Sequence, residues 1–230
     1  MFATLRHGIG AGQANSQVIR ALRGTKALNY RDGIMQAAKQ DVERLVRTAR
    51  NHIANGAYEQ TYLALGVEYV QRSAMLEGRT CKSCAALDGK IYRVDEPKPA
   101  ATLHPNCRCQ YVPSLDDKVI GNRPFVRALK VKGRDGESKF RSIGDMTKNQ
   151  REQAGLEVGQ VKASTTFSKW LGSQDAAFQR EWLGPTRFEL YKKGGYSLDR
   201  FTDPLGKEYS LAQLRQRDAE TFASIFDCDD

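Results

Sequence analysis

The sequence predicts an α+β protein: N-terminal helices, then a small cysteine-stapled β module, a basic linker and a C-terminal region of short helices. Three observations support this order. A long amphipathic pattern begins after position 30, four cysteines cluster between positions 81 and 109, and aromatic residues recur after position 166. With 230 residues, the chain is long enough for one large domain or two small ones.

Changes in composition place the boundaries of five segments. Residues 1–29 are rich in Gly, Ala and Gln. Val18 and Leu22 allow one short helix there, but we expect a flexible arm that orders only against a partner. Residues 30–113 form the core of the protein, and the polar, basic residues 114–160 are predicted to be a linker or loop. A C-terminal helical region follows over 161–217, and residues 218–230 form an acidic, frayed tail.

The first strong signal is an apolar helical stripe. Apolar residues recur at spacings of four and three, at Ile34, Ala38, Val42, Leu45, Ala49 and Ile53. This pattern predicts an amphipathic helix with Asp32 as its N-cap and Gly56 as its C-cap. A second short helix is predicted over 58–65, and we expect the apolar faces of both helices to pack in the core.

Residues that favour β-strands surround the cysteines. Val67 and Val70 predict a strand that leads into the first cysteine pair. The Asp88-Gly89 dipeptide, with Leu87 before it and Ile91 after it, predicts the turn of a hairpin. Several prolines follow and exclude a helix, and residues 109–112 predict a closing strand.

Aromatic and leucine residues predict two or three short helices in the C-terminal region. They form the groups Phe167, Trp170, Leu171; Phe178, Trp182, Leu183; and Phe188, Leu190, Tyr191. Gly172, Gly184 and Gly194 separate these groups. The last helix is predicted to begin after an N-cap at Ser210, with Leu211 and Leu214 facing inward.

The composition excludes some function classes and favours others. No stretch approaches the roughly 20 consecutive apolar residues that a membrane-spanning helix requires. The first residues lack the apolar core of a signal peptide, so we expect the protein to stay in the compartment where it is made. The net charge of +9 favours an acidic partner, such as nucleic acid, an acidic protein ring or an anionic membrane surface.

One group of residues carries recognisable chemistry. Cys81 and Cys84 form a Cys-x-x-Cys pair, and His104 and Cys107 repeat the same two-residue gap. Such pairs converge on one ion, and three thiolates with one imidazole suit a structural zinc ion with a closed tetrahedral shell. Cys109 is an alternative to His104 or a group in the outer shell of the site. We expect this stretch to lose its fold without the metal.

Side chains near the cysteines have predicted roles, and one cysteine stands apart. Arg108 and Lys82 are expected to offset the negative charge of the thiolates. Reduced thiols without a metal, or a disulfide, are the competing interpretation of the cluster. Cys228, near the chain end, is interpreted as an isolated reduced thiol.

No catalytic site is expected. The sequence contains no glycine-rich phosphate loop, no nucleophile elbow and no His-Glu-x-x-His helix. A cysteine nucleophile paired with His104 would not need three further cysteines around it. We therefore predict that the chain is not an enzyme.

The cysteine segment resembles the signature of the Mu F-like phage head morphogenesis, or minor capsid, family. The resemblance lies in the Arg-Thr-Cys-x-x-Cys and Leu-Asp-Gly motifs of Arg79–Tyr92 and in the His-Pro-x-Cys-Arg-Cys motif of His104–Cys109. The segment Val46–Asn55 looks like the family's Arg-Thr helix, and Trp170–Leu190 resembles its helical tail.

This resemblance implies a minor virion protein at the portal vertex of the capsid, present in the host cytoplasm during assembly. Its implied partners are the portal ring, the major capsid or scaffold protein and, non-specifically, packaged DNA. The implied role is that of a head-tail connector in head assembly or in DNA passage and ejection. The alternative function is a nucleic-acid-binding zinc module, which needs a basic face near the cysteines. The candidates for that face are Arg72, Arg79, Lys82, Lys90, Arg93 and Arg108.

Overall fold

The structure, a computed structural model, describes residues 7, 10–115, 119–127, 131–132, 138–139, 147–153 and 156–227. Cys228 and the first six residues of the predicted arm lie outside the described residues. The chain divides into two units, which contain residues 1–54 with 104–107 and residues 55–103 with 108–230. Each unit is described by itself below.

The first unit is built from helices. Helix α1 (Asn15–Arg23) confirms the short helix that the arm allowed, and a 3₁₀ helix (Lys26–Leu28) follows. The next helix begins at Ile34, so Gly33 and not Asp32 directly precedes it, and Asp32 Oδ1 accepts a hydrogen bond from the Thr25 N–H at 2.8 Å. This bond lowers the pKa of the Asp32 carboxyl below its ordinary value and closes the turn that precedes the next helix.

Helix α2 (Ile34–Ala64) is one continuous helix of 31 residues where two were predicted. Gly56 is not its C-cap. Gly66 instead has the left-handed conformation, with φ of 70°. A glycine inside a helix costs only about 1 kcal/mol relative to alanine, which a long helix can tolerate. The α2 residues after Ala54 belong to the second unit.

The apolar stripe of α2 is exposed, so the prediction that it packs in the core is wrong. Val42, Leu45 and Ile53 expose 60%, 68% and 69% of their surface. The helical period identifies which face of a helix is apolar, but it does not identify what covers that face.

The second unit contains two small three-stranded sheets. In the first sheet, β1 (Tyr69–Ser73) lies between β3 (Ile91–Arg93) and β4 (Gln110–Ser114), and both pairings are antiparallel. In the second sheet, β5 (Asn122–Arg127) pairs in parallel with β2 (Leu76–Glu77).

The cysteine segment departs from the predicted hairpin. Residues Lys82–Leu87 form helix α3, and the strand after Asp88-Gly89 pairs with β1, so that Tyr92 lies opposite Val70. The predicted closing strand is confirmed as β4. Short apolar runs do not distinguish a helix from a strand, and this ambiguity explains the error.

The stretch predicted to be a basic linker contributes regular structure. Strand β8 (Glu157–Lys162) completes the second sheet by pairing antiparallel with β5. Strands β6 (Val131–Lys132) and β7 (Ser138–Lys139) pair with each other, and α4 (Lys148–Gln153) precedes β8. The partners of β5 lie far from it in sequence, and local patterns therefore gave no sign of this sheet.

Short helices form the C-terminal region, as predicted. They are α5 (Phe167–Gly172), α6 (Ala176–Leu183), α7 (Pro185–Lys192), a 3₁₀ helix (Leu198–Phe201), α8 (Leu211–Arg217) and α9 (Ala219–Phe226). Ser210 caps α8 by accepting a hydrogen bond from the Gln213 N–H. Leu214 is buried as expected, whereas Leu211 is exposed.

The prediction that residues 218–230 form a frayed tail is wrong for Ala219–Phe226, which form helix α9. Its N-cap Asp218 accepts a hydrogen bond from the Thr221 N–H at 3.3 Å, and Phe222 is only 5% exposed. Burial of one aromatic ring contributes roughly 1.5–3 kcal/mol, enough to hold a short helix that composition alone marked as a tail.

The main core of the second unit is aromatic. The Trp170 ring contacts Phe167 and Phe178 edge-on, with ring centroids 5.3 and 5.5 Å apart. Leu76 of β2 and Ala85 of α3 are buried in the same cluster. The cysteine module and the C-terminal helices therefore share one hydrophobic core.

None of the helices in the described ranges is both long enough and apolar enough to cross a bilayer.

Candidate metal centre

The first cysteine pair forms the knuckle that its spacing predicted. Cys81 is the N-cap of α3 in extended conformation, and its Sγ accepts a hydrogen bond from the Cys84 N–H at 3.4 Å. A backbone amide directed at sulfur stabilises the thiolate form that binds metals. Cys84 is buried, and Cys81 is half-buried.

The second pair is closed by a tight turn. The Cys107 N–H donates to the His104 carbonyl at 3.0 Å, and Asn106 has the left-handed φ of 60° that asparagine tolerates. The Thr48 hydroxyl accepts the Asn106 N–H at 2.9 Å. This bond fixes the turn against α2.

The ring orientation of His104 defines its ligand atom. Its Nδ1 lies 2.9 Å from the Pro105 carbonyl oxygen. Because a carbonyl can only accept a hydrogen bond, Nδ1 is the donor in this contact, which leaves Nε2 as the ring nitrogen for a metal. Metal-binding histidines commonly use this arrangement, in which the second ring nitrogen donates to a carbonyl.

Five side chains supply two groups of ligand atoms. The atoms of Cys81, Cys84 and His104 lie within 4.8 Å of one another, and so do those of Cys84, Cys107 and Cys109. The predicted ligands Cys81, Cys84, His104 and Cys107 are therefore drawn from both groups, and Cys109 belongs to the second.

The chemistry of this donor set fits a metal ion. Cys81, Cys84, Cys107 and Cys109 carry reduced thiols. Three of them are 2–3% exposed, and such burial is costly for thiolates unless a cation compensates their charge. Sulfur and imidazole ligands select zinc and other soft ions over magnesium or calcium. The Cys/His cluster could thus hold a metal ion through this chain's own side chains.

Arg72 lies against this cluster and is completely buried. Its Nη1 donates to the Ala100 carbonyl at 2.7 Å, and its Nη2 donates to the Ala101 carbonyl at 3.0 Å. Nη2 also lies 3.9 Å from Cys84 Sγ. Burial lowers the pKa of the guanidinium, but the sulfurs of Cys109 and Cys84 act in the opposite direction and the net shift is upward.

The two cations expected to offset the thiolates are engaged elsewhere. Arg108 forms an ion pair with Glu77, and Lys82 lies 3.8 Å from a carboxylate oxygen of Glu208. Sequence reasoning placed Arg72 only among the candidates for a basic nucleic-acid face. Its position in the middle of a strand between Gln71 and Ser73 gave no sign that it is buried.

Asn55 holds the strand that follows Cys109. Its Nδ2 donates to the Cys109 carbonyl at 3.1 Å, and its Oδ1 accepts the Tyr111 N–H at 3.3 Å. A side-chain amide that bonds a carbonyl and an N–H on one edge of the chain fixes the backbone on either side of Gln110. This residue was quoted in the family resemblance but was given no role from the sequence.

Asp88 is the anchor of the module rather than a hairpin residue. Its carboxylate has no exposed surface and accepts the N–H groups of Ala74 at 2.6 Å and Phe167 at 2.5 Å. Both guanidinium nitrogens of Arg123 donate to it at 3.0 Å. The following Gly89 has φ of 84°, and a Cβ there would lie 2.5 Å from Thr166 Cγ2. These contacts explain the Leu-Asp-Gly motif.

Comparisons with known proteins identify the N-terminal part of the chain. Residues 3–112 match the model of the family described as Phage Mu protein F like protein. No curated protein and no solved structure shows significant similarity to the chain. The matched range contains all five candidate ligands, the Leu-Asp-Gly motif and the exposed helix α2. The resemblance recognised in the sequence is confirmed over residues 3–112, which are similar to the family described as Phage Mu protein F like protein.

Proposed function

We propose that this protein is a phage head morphogenesis protein that docks on the portal vertex and acts in head assembly or DNA passage. The family match supports the head morphogenesis role and association with the virion. We further propose that its cysteine module holds a structural zinc ion. The observation that supports docking is the exposed apolar stripe of α2.

The stripe has the form of a seam for another helix. The exposed residues Met35, Ala38, Val42, Leu45 and Ala49 follow alternating spacings of three and four. This is the spacing of the a and d positions of a coiled coil. Large exposed apolar surfaces on soluble proteins mark interaction sites, and so we assign this face to a protein partner.

The charge beside the stripe defines the chemistry of that partner. Arg44 and Arg47 form ion pairs with Asp41 and Glu43 on the same helix. Lys39 and Arg50 have no ion-pair partner among the described residues. The fitting occupant is therefore a helix or apolar groove of the portal ring that is flanked by carboxylates.

The side chains around the cysteines do not favour the competing interpretation as a nucleic-acid-binding zinc module. The cations it needs are largely bound to carboxylates: Arg79 and Arg108 to Glu77, Lys82 to Glu208, and Arg93 to Asp95 and Glu96. Arg72 is buried. Phosphate binding near the cysteines would have to break most of these pairs.

The docking proposal is tested by co-expression with the portal protein of the same phage, followed by size-exclusion chromatography. The wild-type chain is expected to co-elute with the portal ring. Leu45→Glu is expected to weaken this association at least about tenfold, since a charge enters the centre of an apolar contact. Gln40→Glu adds the same charge on the opposite face of α2 and should co-elute like the wild type.

Two outcomes would contradict the proposal. A folded, metal-loaded chain that never co-elutes with the ring would contradict the portal assignment. DNA binding would then be measured on the same sample. An isolated chain that dimerises, and that Leu45→Glu makes monomeric, would assign the stripe to a second copy of this protein.

A further inference from the structure

We propose that Arg72 is the positioning residue of the metal centre and that its guanidinium supplies the fixed counter-charge for the thiolates of Cys84 and Cys109. This inference rests on the proposed zinc site. It assigns a function to a buried cation that the assembly role does not use.

The burial of Arg72 requires an anion. A charged side chain with no exposed surface is costly unless it is paired. No carboxylate in the described part of the chain lies within ion-pair distance of Arg72. Its identified hydrogen bonds go to two neutral backbone carbonyls and towards one sulfur, and its guanidinium carbon lies 5.9 Å from the centre of the Tyr111 ring. The sulfurs of Cys109 and Cys84 raise the pKa of the guanidinium, and so does the Tyr111 side chain.

The same guanidinium also fixes the backbone that leads to the downstream ligands. Arg72 lies on β1, the central strand of its sheet, and clamps the carbonyls of Ala100 and Ala101. One rigid group thus links the Cys84 helix to the loop that precedes the His-Pro-x-Cys-Arg-Cys motif. The planar fork of arginine suits two carbonyls and a sulfur at once, whereas lysine offers a single point charge.

This placement also bears on the choice of ligands. A zinc ion with four thiolates carries a net charge of about −2, and a buried cation beside it reduces that charge. A site that uses Cys109 in place of His104 would have four thiolates, and Arg72, 3.9 Å from Cys84 Sγ, would offset part of their charge.

The test measures zinc affinity by chelator competition, together with the absorption spectrum of the Co²⁺-substituted full-length protein. Arg72→Met removes the charge and should lower zinc affinity by roughly 10–100-fold. Arg72→Lys keeps the charge and should recover much of this loss. Arg79→Met, at an arginine paired with Glu77, is the matched control and should change the affinity less than twofold.

A double-mutant cycle separates charge compensation from a purely structural role. If Arg72 compensates the thiolates, Arg72→Met should cost less affinity in a Cys109→Ser background than in the wild type. Additive losses, or equal losses for Arg72→Met and Arg72→Lys, would overturn the inference. Wild-type protein that binds neither zinc nor Co²⁺ would overturn the metal centre and this inference together. Unchanged affinity in a folded Arg72→Met variant would overturn the inference alone.

Discussion

At the scale of single residues, buried charges define the cysteine module. Asp88 and Arg123 form a bidentate ion pair with almost no exposed surface. The pair joins three separate parts of the second unit, because Asp88 also binds the backbone of Ala74 and Phe167. A carboxylate with this many donors is fully satisfied, and the loss of its charge leaves a buried guanidinium uncompensated.

Asp88→Asn is therefore expected to destabilise the protein by about 3–5 kcal/mol. The amide retains one oxygen acceptor but presents N–H groups to donors that then lack a partner. Urea denaturation followed by circular dichroism measures the loss. Asp95→Asn breaks the exposed pair with Arg93 and should leave the midpoint almost unchanged. Equal effects of the two substitutions would contradict the assignment of Asp88 as an anchor.

At the scale of elements, the long helix α2 is the largest departure from the sequence prediction. Gly56 lies within the helix and no heavy atom would lie within 4 Å of a Cβ at this position. Its φ is not positive, so nothing in the fold requires glycine there. Gly66 differs because its φ of 70° is strained for any residue with a Cβ.

Gly56→Ala is expected to raise the free energy of unfolding by about 0.5–1 kcal/mol, through lower chain entropy in the unfolded state. Gly66→Ala has equal space but should cost roughly 1–2 kcal/mol. Thermal denaturation of both variants measures the two changes. A destabilised Gly56→Ala variant would argue for two helices with a break at this position.

The sequence predicted elements whose signals are local. The spacing of aromatic residues, with glycine between the aromatic groups, predicted helices α5 to α7. Ser210 predicted the start of α8. The sequence did not predict the pairing of β2 with β5, because that contact spans about fifty residues and β2 has only two residues. The buried Arg72 was missed because burial of a charge follows from its neighbours in space.

At the scale of the candidate site, the spacing predicted Cys81, Cys84, His104 and Cys107 as one set of ligands. The structure places Cys84 in two groups, one with Cys81 and His104 and one with Cys107 and Cys109. The first cysteine pair, predicted from its Cys-x-x-Cys gap, is closed by a hydrogen bond from the Cys84 N–H to Cys81 Sγ. The Asn55 clamp and the Arg72 counter-charge come from elsewhere in the chain. Residues that support a site through tertiary contacts leave no fixed spacing in the sequence.

At the scale of the whole molecule, metal binding should contribute directly to stability. With free zinc at about 100 times the dissociation constant, the linked stabilisation is about 2.7 kcal/mol. Addition of a chelator should therefore lower the thermal midpoint in calorimetry, and zinc should restore it. The Cys81→Ser, Cys84→Ser double variant should not respond to either reagent. A wild-type midpoint that stays constant after the zinc is shown to be removed would contradict a structural metal.

The sharing of one core by the cysteine module and the C-terminal helices limits how this protein can be divided. The family match ends at residue 112, yet Leu76 and Ala85 are buried in a cluster that extends to Phe222. The Trp182 indole also donates to the Thr80 carbonyl at 2.9 Å. A fragment cut at the family boundary would expose this apolar surface to water and aggregate. A different C-terminal half could replace this one in evolution only if it covered Leu76 and Ala85 with an apolar surface of its own. Residues 3–112 therefore do not form an independent folding unit.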